Sequence, residues 1–245
     1  MRILALDTAT RATTVAFWDT DGLDPPREAR DDPAPGERPG HARQLLPLIA
    51  KLLEWCQTSW DQIDRFAVGV GPGTFTGLRI GIATARALSR ARGVPLVGVS
   101  TLSSLALGAL RDPQLPQGAG TLLATLDARR REVFAAGWQV ANGGPGEGRP
   151  PSYGASVLAP ETLAEAIAGL RPGVIAVGDG AVEFRAVLER AGALIPEDGS
   201  ELHRVSATNH CRLASVKRAG SPDEVSPEYL RRPDAELAHR DKGNR

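Results

Sequence analysis

Residues 66–93, Phe-Ala-Val-Gly-Val-Gly-Pro-Gly-Thr-Phe-Thr-Gly-Leu-Arg-Ile-Gly-Ile-Ala-Thr-Ala-Arg-Ala-Leu-Ser-Arg-Ala-Arg-Gly, constrain this chain more than any other stretch. Phe66 to Val70 is a short apolar run of the buried-strand type. Gly71-Pro72-Gly73 breaks it with turn chemistry, and Thr74 or Thr76 can cap a following helix. Gly93 closes that helix and Pro95 prevents its continuation. Val94 to Val99 then reads as the next strand, completing a βαβ unit with parallel pairing. On the helix, Gly77, Gly81 and Ala85 recur every four residues and leave one face almost bare. Such a face admits another backbone closely. It either packs on the chain's own sheet or forms a helix–helix seam with a partner. Arg79, Arg86 and Arg90 form a basic ridge elsewhere on the helix.

The loop is glycine-rich but not a known phosphate cradle. A Walker A loop requires Lys and Ser or Thr after its last glycine, and here Gly77 is followed by Leu78-Arg79. The dinucleotide fingerprint requires two residues between its second and third glycines near a domain's start; this loop has three after Gly73 and comes late. Neither Tyr153 nor Tyr229 is followed four residues later by Lys.

The 245 residues carry 29 basic and 29 acidic side chains. A chain that grips RNA unaided shows a basic excess, so neutrality argues against a primary RNA-binding surface. Cys56 and Cys211 are too few for a disulfide framework. An acidic residue at position 7 argues against a signal peptide, and no apolar run has membrane-spanning length. A cytoplasmic location is expected.

Along the chain, Ile3 to Leu6 is a strand ending at Asp7, followed by a polar turn and a second strand, Thr13 to Trp18. Residues 22–40 are rich in proline and glycine, with a short third strand expected near Arg27 to Arg30. His41 to Cys56 is an amphipathic helix in which Pro47 marks either the start or a kink. Ser100 or Thr101 caps another helix. The pattern then restarts: Thr121 to Asp127 is a strand with an aspartate at its tip, then a polar turn, then a strand from Glu132 to Val140. This repeat suggests duplicated subdomains. Helices are expected at 160–170, 182–191 and 207–219, a strand at 174–177, and an extended arm at 226–233 ahead of a charged, disordered end.

Gly69-Val-Gly-Pro-Gly-Thr-Phe-Thr-Gly-Leu-Arg-Ile-Gly81 closely resembles the bacterial TsaB (YeaZ) family. The resemblance extends to Leu4-Ala-Leu-Asp-Thr-Ala-Thr10, His41-Ala-Arg-Gln-Leu-Leu-Pro47, Leu126 to Phe134, Gly178-Asp-Gly180 and Pro227-Glu-Tyr-Leu-Arg231. Phe134 replaces an expected tyrosine, Arg131 a common glycine, and residues 22–40 are long for the family.

The resemblance implies an α/β fold of two RNase H-like subdomains on the plan of actin, Hsp70 and the sugar kinases, with mixed sheets flanked by helices. The expected divisions are 1–112, 113–230 and a tail at 231–245. It further implies a non-catalytic scaffold that binds TsaD, helps recruit the ATPase TsaE, and dimerises with itself when alone. The assembly makes N6-threonylcarbamoyladenosine at position 37 of tRNA, and tRNA is met only through the complex. The implied interface residues are His41, Leu45, Leu46, Ile49, Gly77, Leu78, Gly81, Ile82 and Ala85.

The catalytic relative TsaD carries two histidines four apart on the helix matching 41–56. Here Leu45 follows His41, so no metal pair is present. Asp7, Thr8, Asp127 and Asp179 match places where the superfamily holds nucleotide and Mg²⁺; aspartate is also an ordinary turn residue, and a vestigial or structural role is favoured. No catalytic residue and no intrinsic cofactor are expected, with ATP or ADP and Mg²⁺ entering at the level of the complex. His203, His210 and His239 stand in unpromising contexts. No nucleophile–base set is evident, which argues against a peptidase. The alternative is an autonomous ATP-dependent enzyme of the sugar-kinase type.

Overall fold

The computed structural model describes residues 1–231 except 35, 117, 119, 147, 148, 171 and 172. Two five-stranded sheets share one topology. The first contains β1 (Arg2–Asp7), β2 (Thr13–Asp19), β3 (Arg27–Asp31), β4 (Arg65–Gly71) and β5 (Leu96–Ser100), in the order β3-β2-β1-β4-β5. The second contains β6 (Thr121–Arg129), β7 (Glu132–Gln139), β8 (Tyr153–Leu158), β9 (Val174–Val177) and β10 (Ala193–Leu194), in the order β8-β7-β6-β9-β10. In each sheet the first three strands are antiparallel and the last two join in parallel. This is the duplicated RNase H-like α/β arrangement. β8 is absent from the sequence reading because Tyr153-Gly154-Ala155-Ser156 interrupts any apolar alternation.

The helices are α1 (His41–Trp55), α2 (Phe75–Arg92), α3 (Thr101–Arg111), α4 (Pro160–Gly169), α5 (Asp179–Glu183), α6 (Arg185–Arg190) and α7 (Ala207–Val216). Leu45, Ile49 and Leu52 of α1, with Leu78 and Ile82 of α2, pack on Leu4, Leu6, Phe66 and Val68 of the first sheet. Each such fully buried side chain contributes roughly 1.5–3 kcal/mol. α1 runs unbroken through Pro47. The carbonyl of Arg43, which loses its partner there, lies on the solvent side, where Arg43 and Pro47 are exposed.

α3 and α7 form the layer between the sheets. Leu102, Leu105 and Ala106 of α3 pack on Leu122, Ala124 and Trp138 of the second sheet. Ala207, Cys211 and Ala214 of α7 pack on Ile3, Ala5 and Ala67 of the first. Residues 207–225, expected with the second half, thus close the first: α7 covers β1, Gly220 bridges to Leu96 at the free edge of β5, and Val225 joins the first core. The helix expected at 182–191 begins earlier, at Asp179, and is interrupted at Phe184. The charged end lies outside the described residues, apart from Arg231.

Candidate functional site

β1 delivers Asp7 to the end of the first sheet, beside Gly69 on β4. A side chain at 69 would collide with the Asp7 carboxylate, so the glycine makes room for it. Oδ1 accepts the Ala9 N–H at 2.8 Å, a local Asx turn. Oδ2 accepts the Thr101 hydroxyl at 3.3 Å and lies 3.0 Å from His210 Nε2 of α7. This last contact is close but is not a well-angled hydrogen bond. Neither Asp7 nor His210 is exposed.

On its other side, His210 Nδ1 lies 2.9 Å from Ser104 Oγ and 3.1 Å from the Ser206 carbonyl. Asp7, His210 and Ser104 are thus connected in the order of a nucleophilic triad. They lack its chemistry. The Ser104 hydroxyl donates to the Ser206 carbonyl at 3.0 Å, so Nδ1 is a donor and cannot act as base toward Ser104. All three side chains are sealed from solvent. His210 reaches this place because Ala207, His210, Cys211 and Ala214 share the buried face of α7. That spacing is visible in the sequence; the partner, two hundred residues away, is not.

A nucleotide-bound Mg²⁺ does not fit at Asp7, whose oxygens are taken by Ala9, Thr101 and His210. Thr8 is likewise engaged, donating to the Gly77 carbonyl at 2.7 Å.

The second sheet presents the equivalent tip differently. Asp127 N–H donates to Asp179 Oδ1 at 2.9 Å, and Asp127 itself accepts the Arg129 N–H and pairs with the Arg129 guanidinium at 2.9 Å. Asp179 is exposed at the surface yet densely surrounded by protein atoms. Surrounding protein, with the Asp127 charge adding to it, raises its pKa to about 6. A divalent ion here would have to displace Arg129. Among the described residues no group of three His, Cys, Asp or Glu side chains could hold a metal.

Between the tips lies a groove of about 410 Å³, walled by Thr74, Phe75, Ala128, Phe134 and Tyr229 and rimmed by Arg129. The chain from Glu228 to Arg231 straps it. Glu228 N–H donates to the Val70 carbonyl at 2.7 Å in the first half, and Arg231 bonds the Ala128 carbonyl and Glu132 in the second.

The bare face of α2 turns inward. A Cβ at Gly77 would strike the Thr8 carbonyl, and one at Gly81 the Thr8 hydroxyl. Leu45, Ile49, Leu78, Ile82 and Ala85 are core residues, and His41 is buried against Thr13 at 2.8 Å. Burial holds the His41 pKa below its ordinary value. Eight of the nine expected interface residues are therefore corrected to the chain's own packing; the glycines let α2 lie on the end of β1. Leu46 alone is exposed, at 53%. The sequence reading missed other exposed positions of the two helices: Pro47 and Ala50 on α1, and Thr76, Ala83 and Ala87 on α2, with Ile80 half-buried among them. Positions 76, 80, 83 and 87 share one face at helical spacing, and only the filled core shows which face remains open.

Comparisons with known proteins decide the family. The chain is 34% identical over 234 residues to the tRNA threonylcarbamoyladenosine biosynthesis protein TsaB of Escherichia coli, covering 94% of this chain and 95% of that one. The chain belongs to the TsaB family. The TsaD family model, tRNA N6-adenosine threonylcarbamoyltransferase, matches residues 37–144. Among solved structures, YeaZ of Pseudomonas aeruginosa superposes with a TM-score of 0.74 at 26% identity, over 94% of this chain and 99% of that one. A second Pseudomonas aeruginosa protein, described as similar to the peptidase YeaZ, gives 0.75 at 28% identity with the same coverage. The word peptidase in that description finds no counterpart in the buried Asp7–His210–Ser104 set.

Proposed function

We propose that this TsaB-family chain is a non-catalytic subunit of the machinery that makes N6-threonylcarbamoyladenosine in tRNA, in the cytoplasm. In this reading it binds and stabilises a TsaD partner through the exposed faces of α1 and α2, helps recruit TsaE, and pairs with a second copy through the same faces when alone. ATP or ADP and Mg²⁺ belong to the assembly.

One observation carries the reading. The tip aspartate that an enzyme of this fold would keep open is buried against the chain's own His210. The same fold leaves exposed apolar side chains, Leu46, Pro47, Ala50, Ala83 and Ala87, with Ile80 half-buried among them, on two adjacent helices. Small residues at such positions admit a second helix pair closely. The rival reading, an autonomous sugar-kinase-like enzyme, requires a free carboxylate for Mg²⁺, and both Asp7 and Asp127 are engaged.

The experiment is titration calorimetry of the purified chain against the TsaD protein of the same organism, with Ala83→Arg and Leu46→Asp alongside. Tight wild-type binding lost in both variants supports the reading. A wild-type chain that binds no TsaD, or that hydrolyses ATP unaided, sinks it.

A further inference from the structure

Three exposed side chains at the start of α2 hold one another in a fixed arrangement. The Arg79 guanidinium lies over the Phe75 ring, 3.8 Å from its centroid. Tyr229 of the strap stacks on the same residue, with ring centroids 5.4 Å apart and planes inclined by 30°. Arg79 Nε donates to the Tyr229 hydroxyl at 3.3 Å. Phe75 is 40% exposed and Tyr229 39%, high for aromatic residues bound into a structure. The cluster adjoins the exposed apolar positions, because Arg79 lies between Thr76 and Ala83 on the outer face of α2.

Among the described residues no carboxylate pairs with Arg79. α2 contains Arg79, Arg86, Arg90 and Arg92 and no acidic residue. At its far end, Arg90 pairs with Asp223, Arg92 with Asp61, and Arg86 bonds the Pro222 and Asp223 carbonyls. Arg79 instead meets, among the described residues, the Phe75 ring and the Tyr229 phenol. Arg43, exposed on α1, has no carboxylate within ion-pair reach among the described residues. Both helices start at the same end of the first sheet, so the exposed apolar side chains are flanked by positive charge at that end.

We propose that the docking surface extends beyond the helix pair onto the C-terminal strap, where Phe75, Arg79 and Tyr229 anchor a helical partner surface carrying carboxylates opposite Arg79 and Arg43. The inference rests on the proposed function and specifies the chemistry of its partner. Tyr and Arg are the side chains most often dominant in interfaces, and a cluster already held by stacking loses little freedom on binding. The match to carboxylates follows from charge: a cation at the rim of an apolar surface favours an acidic counterpart and accelerates encounter with it. The strap also joins the two halves, through Val70 and through Ala128 and Glu132, so the anchor is placed by a segment that senses both.

The test uses the full chain and the TsaD protein of the same organism. Binding of wild type, Arg79→Glu, Tyr229→Ala and Thr76→Glu is measured by calorimetry at about 0.05 and 0.5 M salt, concentrations that span strong and weak screening. Thr76→Glu adds a negative charge to this surface without removing any contact of the cluster, so it reports on charge even where another variant is poorly folded. The expected result is a loss of about tenfold or more for Arg79→Glu and for Thr76→Glu at low salt, narrowing at high salt, and about fivefold for Tyr229→Ala. Wild-type binding with all variants within about twofold of it overturns this inference while leaving the proposed function standing. Tighter binding by Arg79→Glu overturns the acidic partner. Absence of wild-type binding overturns the proposed function, and this inference with it.

Discussion

His210 Nε2 lies 3.0 Å from Asp7 Oδ2 with neither residue exposed to solvent. The pair fastens α7, from the end of the chain, to the tip of β1 at its beginning. On the far side of the ring Nδ1 meets the Ser206 carbonyl, which leaves Nε2 facing the carboxylate. A buried pair of this kind is a weak source of net stability, but breaking it is costly. Asp7→Ala or His210→Ala is expected to lower stability by about 3–5 kcal/mol, since each leaves the other group alone in the core. The double variant Asp7→Ala/His210→Ala is expected to lose less than the two single losses added together. Urea unfolding of the four proteins measures this; additive losses mean that the two groups do not interact.

Gly77 sets the distance between α2 and β1. An added methyl group there meets backbone, the Thr8 carbonyl, which cannot rotate aside. Gly77→Ala is therefore expected to destabilise by about 1–3 kcal/mol or more, as overpacking does. It also removes the ideal seat for the Thr8 hydroxyl on the Gly77 carbonyl. Gly98→Ala is the contrast: its new methyl meets the end of the Val70 side chain and the side chain of Val225, so a smaller effect is expected. Equal melting temperatures for Gly77→Ala and wild type contradict this account.

These two sites show what the sequence makes legible. The glycine stripe at 77 and 81, the strand tips at Asp7 and Asp127, and the restart of the pattern near Thr121 all follow from spacing within thirty residues. The doubled topology can therefore be anticipated. What the stripe faces cannot, because a bare helix side suits the chain's own β1 as well as a foreign helix, and the choice depends on where Thr8 arrives. His210 is opaque for the same reason: its position on a buried helix face is local information, whereas its carboxylate comes from the other end of the chain. The strap is harder still. Tyr229 has no periodic context, and only the folded chain sets it on Phe75.

Asp179 gives a pH dependence with a definite sign. Its folded pKa of about 6 lies above the value near 3.8 expected when unfolded, so between these values the folded chain holds more protons than the unfolded one. Its contribution then falls as pH rises from about 4 to about 6 and stays unfavourable above that. Asp179→Asn keeps an oxygen for the Asp127 N–H and removes the charge. It is expected to raise the melting temperature at pH 7.5 by about 2 °C, because contact with solvent weakens the penalty, and to leave it unchanged at pH 4. Calorimetric scans at the two pH values check this. An equal shift at both pH values means that packing, not ionisation, is responsible.

The hairpin joining β6 to β7 carries Arg129, Arg130 and Arg131 at φ of 62°, 54° and 59°, three successive left-handed residues with side chains. The left-handed region is unfavourable by roughly 1–2 kcal/mol for each such residue. Arg129 has an evident reason to accept it, since the turn brings its guanidinium onto Asp127. Arg131 is exposed and carries no comparable bond among those described. Arg131→Gly is therefore expected to stabilise the chain, by about 0.5–1 kcal/mol once the extra freedom of glycine in the unfolded state is subtracted. The same change at 129 removes the strain and also the Asp127 pair, so its net effect is expected to be smaller or of opposite sign. Measured side by side in urea, the two variants separate backbone strain from the ion pair. A destabilising Arg131→Gly indicates that the turn is held by its arginine side chain and not merely tolerated by its backbone.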